Sequence, residues 1–485
     1  MDLYRDFTKG VGLAGVAYAL ISVSGIILLP ILTRGLSIGD YGAYVQVTTT
    51  VALLAFPLTL GLSVALVRFT ALAGAQADIR EDFYSLFLAI TLFNTLVSGI
   101  LFFLSRPLAE YLFNGNLTVA EILPLITLFA SLNLFLLDFF RAFQQPGRYA
   151  FFILIQTYAG VVFISYFVFS GSGLPGAVLG LLTAQVVLFL MILSIVVARI
   201  GIAIPRLKHL RTYMLFCVPL IPANLAFWVV NSSDRYLIGV LLGASYVAYY
   251  APSYTLGFVS SILAWPLTLM LAAFLPKHYD DADVAVVKTV FKYTLKYFLA
   301  VAIPSVFIVS SLSRPLLLLL STPEIADNGY LVTPFIAVSA LLWGVGSILT
   351  EIFVLGKKTR TIGVLWAMSG GMNVGLNILL LPRFGIIGAA VTTLASFLFT
   401  FITTLYYSRG TMTFDIDARF IFKSICASLA MTVVILGLEF GSKFNALVAA
   451  SAGAIVYIVL IFLMKGFDKA ELSFITQLFK NALGR

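Results

Sequence analysis

Long apolar runs, separated by short polar connections, follow one another along the whole chain. Because a helix that crosses a bilayer needs about 20 apolar residues, these runs predict about 14 transmembrane helices and an all-α polytopic membrane protein. The predicted spans lie near 10–32, 41–66, 84–104, 120–140, 149–170, 175–198, 212–232, 242–274, 293–312, 330–355, 361–381, 385–407, 419–438 and 445–464. No connection between them is long enough to form a soluble domain.

Four short sequences of the first half return in the same order in the second half. Ala55-Phe-Pro-Leu-Thr-Leu60 returns as Ala264-Trp-Pro-Leu-Thr-Leu269, and the other pairs begin at Tyr41 and Tyr246, Leu104 and Leu312, and Gly173 and Gly385. Spans 1–6 and 7–12 are therefore predicted to be two copies of one six-helix unit, and they are parallel because six is even. Transporters built from such repeats bind substrate between the halves and work by alternating access.

The repeat predicts four regions of the chain. Two six-helix lobes occupy 1–205 and 206–410, two additional transmembrane helices occupy 411–464, and a basic amphipathic tail follows at 465–485. We expect this tail to lie on the cytoplasmic membrane surface. Pro57 and Pro266 occupy equivalent places in the second helix of each lobe and are expected to kink it.

The basic residues predict the orientation in the membrane. If each of the 30 Lys and Arg residues is assigned to its nearest connection, 24 fall on the side that holds both termini. Cytoplasmic loops are rich in Lys and Arg, so a multi-pass protein of the cytoplasmic membrane with both termini inside is predicted. The net charge of +9 then reflects topology and contact with anionic membrane lipids rather than nucleic-acid binding.

Patterns typical of enzymes are missing from the sequence. It contains no glycine-rich phosphate loop with lysine, no metal-ligand spacing and no nucleophile motif, and its two cysteines lie in apolar runs. We expect neither enzymatic activity nor a cofactor or bound metal.

Several motifs resemble those of the Wzx-type oligosaccharide flippases, within the multidrug/oligosaccharidyl-lipid/polysaccharide exporter superfamily. They are Ile31-Leu-Thr-Arg34 with Asp40-Tyr-Gly-Ala-Tyr44, Asn231-Ser-Ser-Asp-Arg235 with Ile238-Gly239 and Gly243, and Asn373 to Ala390. The resemblance implies a flippase that moves a polyprenyl-diphosphate-linked oligosaccharide across the membrane, coupled to H+ or Na+. It further implies partners in surface glycan assembly, such as a glycan polymerase or glycosyltransferases. A cation-coupled multidrug exporter of the same superfamily is the alternative.

If the cargo carries a diphosphate, guanidinium groups are its natural ligands. Arg34 and Arg235 end spans 1 and 7 on the predicted outer side, with Asp234 beside the second arginine. They are candidates to bind the headgroup, and the alternative is that they extend to the membrane interface.

Asparagines within the spans are further candidates for substrate binding. Asn373 and Asn377 share one helix face, and Asn231 lies one turn before Arg235. These amides line a sugar path or join helices to one another.

Carboxylates near the predicted cytoplasmic ends of spans 4 and 10 are candidates for ion coupling or gating, because a charge in hydrocarbon costs at least about 2.5–3.5 kcal/mol. Glu351 has no basic residue three or four positions away. It binds a coupling ion, closes an inner gate, or pairs with Lys357 or Lys358 near the interface. Asp138 lies at the corresponding place in the first lobe. Arg141 follows it three residues later, which favours a local ion pair.

Overall fold

The computed structural model describes residues 20–70, 76–280, 284–356, 359–410, 412, 416–437 and 445–467. The regular elements in these ranges are helices: α1 (Leu20–Gly35), α2 (Ile38–Leu58), α3 (Leu62–Thr70), α4 (Gln76–Phe103), α5 (Ser105–Leu112), α6 (Leu117–Ala142), α7 (Pro146–Phe169), α8 (Gly173–Ile200), α9 (Leu210–Cys217), α10 (Leu220–Leu242), α11 (Ala244–Phe258), a 3-10 turn (Val259–Ser261), α12 (Ala264–Asp280), α13 (Val284–Ser311), α14 (Ser313–Leu320), α15 (Pro323–Gly329), α16 (Val332–Leu355), α17 (Thr359–Arg409), α18 (Ala418–Gly437) and α19 (Asn445–Leu463). The first ten residues of predicted span 1 and most of the predicted basic tail lie outside the described ranges.

The all-helical, multi-pass fold class is confirmed, whereas the count of 14 spans is not. Within the described part of the chain, 10 helices are long and apolar enough to cross a membrane, or 11 if a bent pair counts as one span. The two predicted spans 361–381 and 385–407 both fall in α17, which consists of two helical segments separated at Gly385, where the backbone leaves the helical conformation (φ 58°, ψ −147°). Helix α10 is not among these ten, because the polar residues from Asn231 to Arg235 lower its mean hydropathy.

Both prolines of the repeated hexapeptide lie next to a helix break. Pro57 precedes a break, because α2 ends at Leu58 and α3 begins at Leu62. Pro266 follows one, since it lies in the first turn of α12, which is bent by 46° from the preceding helical segment. At the first break, the Asn94 side chain of α4 donates a hydrogen bond of 2.8 Å to the carbonyl oxygen of Leu58. This bond gives the carbonyl oxygen a donor at the end of α2, where neither the helix nor the surrounding lipid supplies one.

Contacts divide the chain into two compact units. The first comprises Met1–Pro252, Leu320–Ile325 and Arg360–Ser396, and the second comprises Ser253–Leu319, Ala326–Thr359 and Phe397–Arg485. In the first unit α6 is central and packs against α2, α3, α4 and α8, around buried phenylalanines such as Phe83, Phe135 and Phe139. In the second unit α13 is central and packs against α12, α16 and α18. The first unit therefore combines helices from both predicted lobes.

A candidate substrate crevice beside helix α2

Two glycines allow α2 to approach α10 and the first residue of α11 closely within the first unit. A Cβ atom placed on Gly42 of α2 would lie 1.8 Å from the carbonyl oxygen of Ala244, and one placed on Gly239 of α10 would lie 2.0 Å from Nε2 of Gln46. Position 42 requires glycine because the Ala244 atoms are backbone, whereas a side chain at position 239 would have to displace the Gln46 amide and its hydrogen bond.

Hydrogen bonds hold the same contact together. Nε2 of Gln46 donates to the carbonyl oxygen of Arg235 over 2.7 Å, and the hydroxyl groups of Thr50 and Tyr236 are hydrogen-bonded to each other. The segment Gly42–Thr50 of α2 is thereby joined to the last half of α10. These partners are separated by 189 residues in the first case, so the contact is a product of tertiary packing.

A crevice of about 220 Å³ lies beside the other half of α2, beyond this contact. Its walls carry amide, hydroxyl and indole groups between apolar side chains, and none of its lining residues is charged. The lining residues are Ala52, Leu53, Phe56, Pro57, Asn224, Leu225, Trp228, Asn231 and Ser232. The indole N–H of Trp228 is buried and has no hydrogen-bond partner among the described residues. A neutral ligand with hydroxyl groups matches this chemistry, because it can accept from the indole and pack against the ring.

A second crevice, of about 300 Å³, lies between α2 and the helices α6, α7 and α8. Thr48, Gln156 and Gln185 are its polar lining residues, and Ala52 lines both crevices. Asn133 donates to the backbone and side-chain oxygens of Gln185 at 2.8 Å each, and Gln156 donates to the same side chain at 3.1 Å. Polar groups thus flank α2 on two sides.

The predicted diphosphate ligands occupy different environments. Arg34 is exposed near the end of α1, while Arg235 is half-buried and its Nη1 donates to the carbonyl oxygen of Asn231 over 3.1 Å. Asp234 is only 1% exposed and accepts hydrogen bonds from the Tyr250 hydroxyl at 2.5 Å and from the Arg235 N–H at 2.8 Å. The Asp234 carboxylate therefore ties α10 to α11.

Asn373 and Asn377 are fully buried, and Asn373 contacts a second helix. Oδ1 of Asn373 accepts from the Ser233 hydroxyl at 3.1 Å, which connects α17 to α10. Nδ2 of Asn377 donates to the backbone oxygen of Asn373 at 3.0 Å and to its Oδ1 at 3.1 Å. The Asn377 amide thus pairs within α17, and neither asparagine lines the two crevices. A role of either residue in substrate binding stays a prediction.

The candidate carboxylates also differ in their partners. Oδ1 of Asp138 accepts from Nη1 of Arg141 at 2.9 Å, so the local ion pair forms near the end of α6. Glu351 is half-buried in the last turns of α16, and no described residue forms a hydrogen bond or ion pair with its carboxylate. Lys357 and Lys358 lie outside the described residues. A role in gating or ion coupling stays a prediction for all three residues.

The comparisons with known proteins agree with this fold. A family model described as "Polysaccharide biosynthesis protein" matches residues 31–324, more than half of the chain. The chain belongs to this family. The matched range includes every residue that lines the two crevices. A search of curated proteins finds no significant match.

Solved transporters share the fold of this family member. It aligns with the lipid II flippase MurJ in an inward closed conformation with a TM-score of 0.74 and 15% identity, over 99% of this chain and 100% of that one. An inward-facing MATE multidrug resistance transporter of the MOP superfamily aligns with a TM-score of 0.66 and 16% identity, over 82% of this chain and 94% of that one. An outward-facing MATE structure aligns with a TM-score of 0.55 and 17% identity, over 83% of this chain and 97% of that one. The resemblance to this exporter superfamily is thereby confirmed.

Gln46 and Asn94 are structurally important residues that the motifs did not single out. Each is a polar side chain inside an apolar run, and this is the one signal the sequence offers for it. Their partners, in contrast, are far away along the chain or in another helix.

Proposed function

We propose that this protein is a flippase that moves a polyprenyl-diphosphate-linked oligosaccharide from the cytoplasmic to the outer leaflet by alternating access. It acts as a transporter and not as an enzyme, in the cytoplasmic membrane, with both termini inside. Its family membership in polysaccharide biosynthesis and its likeness to a lipid flippase over the full length support this role. Enzymes that build or polymerise the glycan are the partners that such a role requires.

The observation that carries the proposal is the chemistry of the crevice between α2 and α10. A buried indole N–H, two side-chain amides and a hydroxyl line it without any charged group. Sugars bind to proteins through hydrogen bonds to hydroxyl groups and through contacts of their C–H faces with aromatic rings, and Trp228 offers both.

An exporter of cationic drugs is the competing function. A cavity for cations needs acidic walls, and neither crevice has a carboxylate among its lining residues. The MATE transporters align with 82% and 83% of the chain, whereas the lipid flippase aligns with 99%. Both points favour a lipid-linked cargo.

In the proposed cycle the contact around Gly42 and Gly239 is an outer gate. It lies where α2 begins and α10 ends, which is the predicted outer side. When it separates, the crevice opens outward and the sugar leaves. Arg34 and Arg235 are proposed to meet the diphosphate at this side, and Glu351 is proposed to carry the coupling ion.

The Trp228→Phe substitution tests the sugar site, because it keeps an aromatic ring and removes the N–H. Loss of one hydrogen bond of about 1.4 kcal/mol predicts a roughly tenfold slower flipping rate. The assay is dithionite quenching of a fluorescent polyprenyl-diphosphate oligosaccharide in proteoliposomes.

Trp366→Phe is the matched control, since Trp366 lines neither crevice, and its flipping rate is expected to equal that of the wild type. Equal rates in the two variants would remove Trp228 from the sugar site. Transport of an amphipathic cation by the wild type, without any flipping of the glycolipid, would instead establish the drug exporter.

A further inference from the structure

A basic cavity lies in the second unit. It has a volume of about 500 Å³ and is formed by the third turn of α13, the start of α18 and the segment after α19. Its lining residues are Lys292, Lys296, Ile416, Asp417, Ala418, Arg419, Phe420, Lys423, Lys465 and Gly466. Five of these ten side chains are cationic and one is acidic.

The single acidic side chain of this set is already engaged. Oδ1 of Asp417 accepts from the backbone N–H of Phe420 at 2.9 Å and so caps α18, while Oδ2 lies 3.7 Å from Nζ of Lys296. Lys296 is 5% exposed, and its ammonium also lies 5.1 Å from the centre of the Phe420 ring and 5.5 Å from that of Phe467. Asp417 and Lys296 form the floor of the cavity, and the four remaining cations form its walls.

The wall cations are placed to meet an anion from outside. Lys292, Arg419 and Lys465 are exposed, and Nζ of Lys423 donates to the carbonyl oxygen of Lys465 over 2.9 Å, which holds the α18 and α19 ends together. The N-terminus of α18 adds its partial positive charge at the same place. Several lysines and an arginine this close together can bind the phosphate groups of a ligand through charge-assisted hydrogen bonds.

An apolar stripe runs along α18 away from this cavity. Phe422, Ile425, Leu429 and Val433 are exposed and recur at helical spacing, and Arg419 lies three residues before the first of them on the same face. Cations at the head of an exposed apolar stripe match the shape of a phospholipid, with phosphate at one end and acyl chains along the helix. A soluble phosphate would gain nothing from the stripe.

We propose that this cavity, which we call the basic rim site, binds the phosphate groups of an anionic phospholipid at the cytoplasmic membrane surface. The predicted orientation puts the ends of α18 and α19 that form it on the cytoplasmic side, where anionic lipids attract clusters of Lys and Arg. The proposal stands apart from the transport function, because the lipid need not carry a glycan or cross the membrane.

Native mass spectrometry of the full chain in detergent tests the site with cardiolipin, which carries two phosphates, and with phosphatidylcholine. The wild type is expected to retain cardiolipin at least about tenfold more tightly than phosphatidylcholine. The variant Lys292→Gln/Arg419→Gln/Lys465→Gln changes only exposed side chains and is expected to lose cardiolipin affinity by roughly 10- to 100-fold, at about one tenfold step or less per removed cation.

The control variant Arg148→Gln/Arg206→Gln/Arg211→Gln removes the same charge from exposed residues on the same predicted side of the first unit. It is expected to bind cardiolipin within about twofold of the wild type. An equal loss in both triple variants, or none in the first, would overturn the basic rim site. Inorganic pyrophosphate that binds as tightly as cardiolipin, with the same dependence on the variants, would overturn its assignment to a lipid.

Discussion

Individual polar side chains inside the apolar helices have two kinds of environment. Asn94, Asp234 and Asn373 pair with backbone or side-chain groups of neighbouring helices, which is how buried polar groups are tolerated in a membrane. Trp228 and Glu351 have no hydrogen-bond partner for the indole N–H and the carboxylate among the described residues. Polar groups of the first kind stabilise the fold, and those of the second kind are available to cargo or ions.

Glu351→Gln is therefore expected to reduce ion-driven flipping at least about tenfold, because glutamine neither ionises nor exchanges a proton. Flipping in proteoliposomes, with and without an imposed H+ or Na+ gradient, measures the effect. Glu121→Gln changes another half-buried carboxylate and is expected to leave the gradient response intact. A normal gradient response in Glu351→Gln would exclude this residue from coupling.

At the scale of helices, breaks and close approaches determine where the crevices lie. The break after Pro57 ends α2 beside the crevice that this proline lines. The contact at Gly42 brings the other half of α2 against the residue that begins α11. One helix thus combines a closed half and an open half, which is the arrangement expected of a gate next to a binding site.

A bulky side chain at position 42 is expected to separate this contact. A Cβ atom 1.8 Å from the Ala244 oxygen must move to about 3.5 Å, so Gly42→Leu should lengthen the distance between spin labels at Asp40→Cys and Tyr246→Cys by about 2 Å or more. Electron paramagnetic resonance, in a background in which both native cysteines are alanine, measures this distance.

Gly99→Leu is the control, because a Cβ atom at Gly99 meets no atom within 4 Å. The label distances should then equal those of the parent. An unchanged distance in Gly42→Leu would show that the helices do not separate at this point, and the proposed outer gate would be abandoned.

At the scale of the whole molecule, compact units and sequence repeats follow different boundaries. The first segment of the first unit runs to Pro252, well past the predicted start of the second lobe at 206. The same unit also includes Arg360–Ser396, which belongs to the second predicted lobe. Hydrogen bonds such as those from Gln46 to Arg235 and from Ser233 to Asn373 lie inside this unit. The division into lobes at 205 and 410 stays a prediction, which rests on the repeat.

The repeat predicts that corresponding connections of the two lobes lie on one side of the membrane. Accessibility tags at Arg5 and Arg211 are expected to label in the same compartment of intact cells, and that compartment is the cytoplasm. A tag at Arg314 is expected in the opposite compartment. Opposite labelling of the first two would remove the parallel arrangement and, with it, the proposed mechanism of alternating access.

The sequence by itself determined the membrane class, the all-helical fold class and the resemblance to the exporter superfamily. These features depend on local quantities, since the length of an apolar run is matched to the bilayer thickness and the repeat is visible in short motifs. Tertiary structure alone decided which polar atoms meet. Gln46 and Arg235 are 189 residues apart, and Ser233 and Asn373 are 140 residues apart. A hydrogen bond forms only where donor and acceptor lie within a few tenths of an ångström of about 2.9 Å, and no periodicity along one chain encodes how packed helices meet that condition.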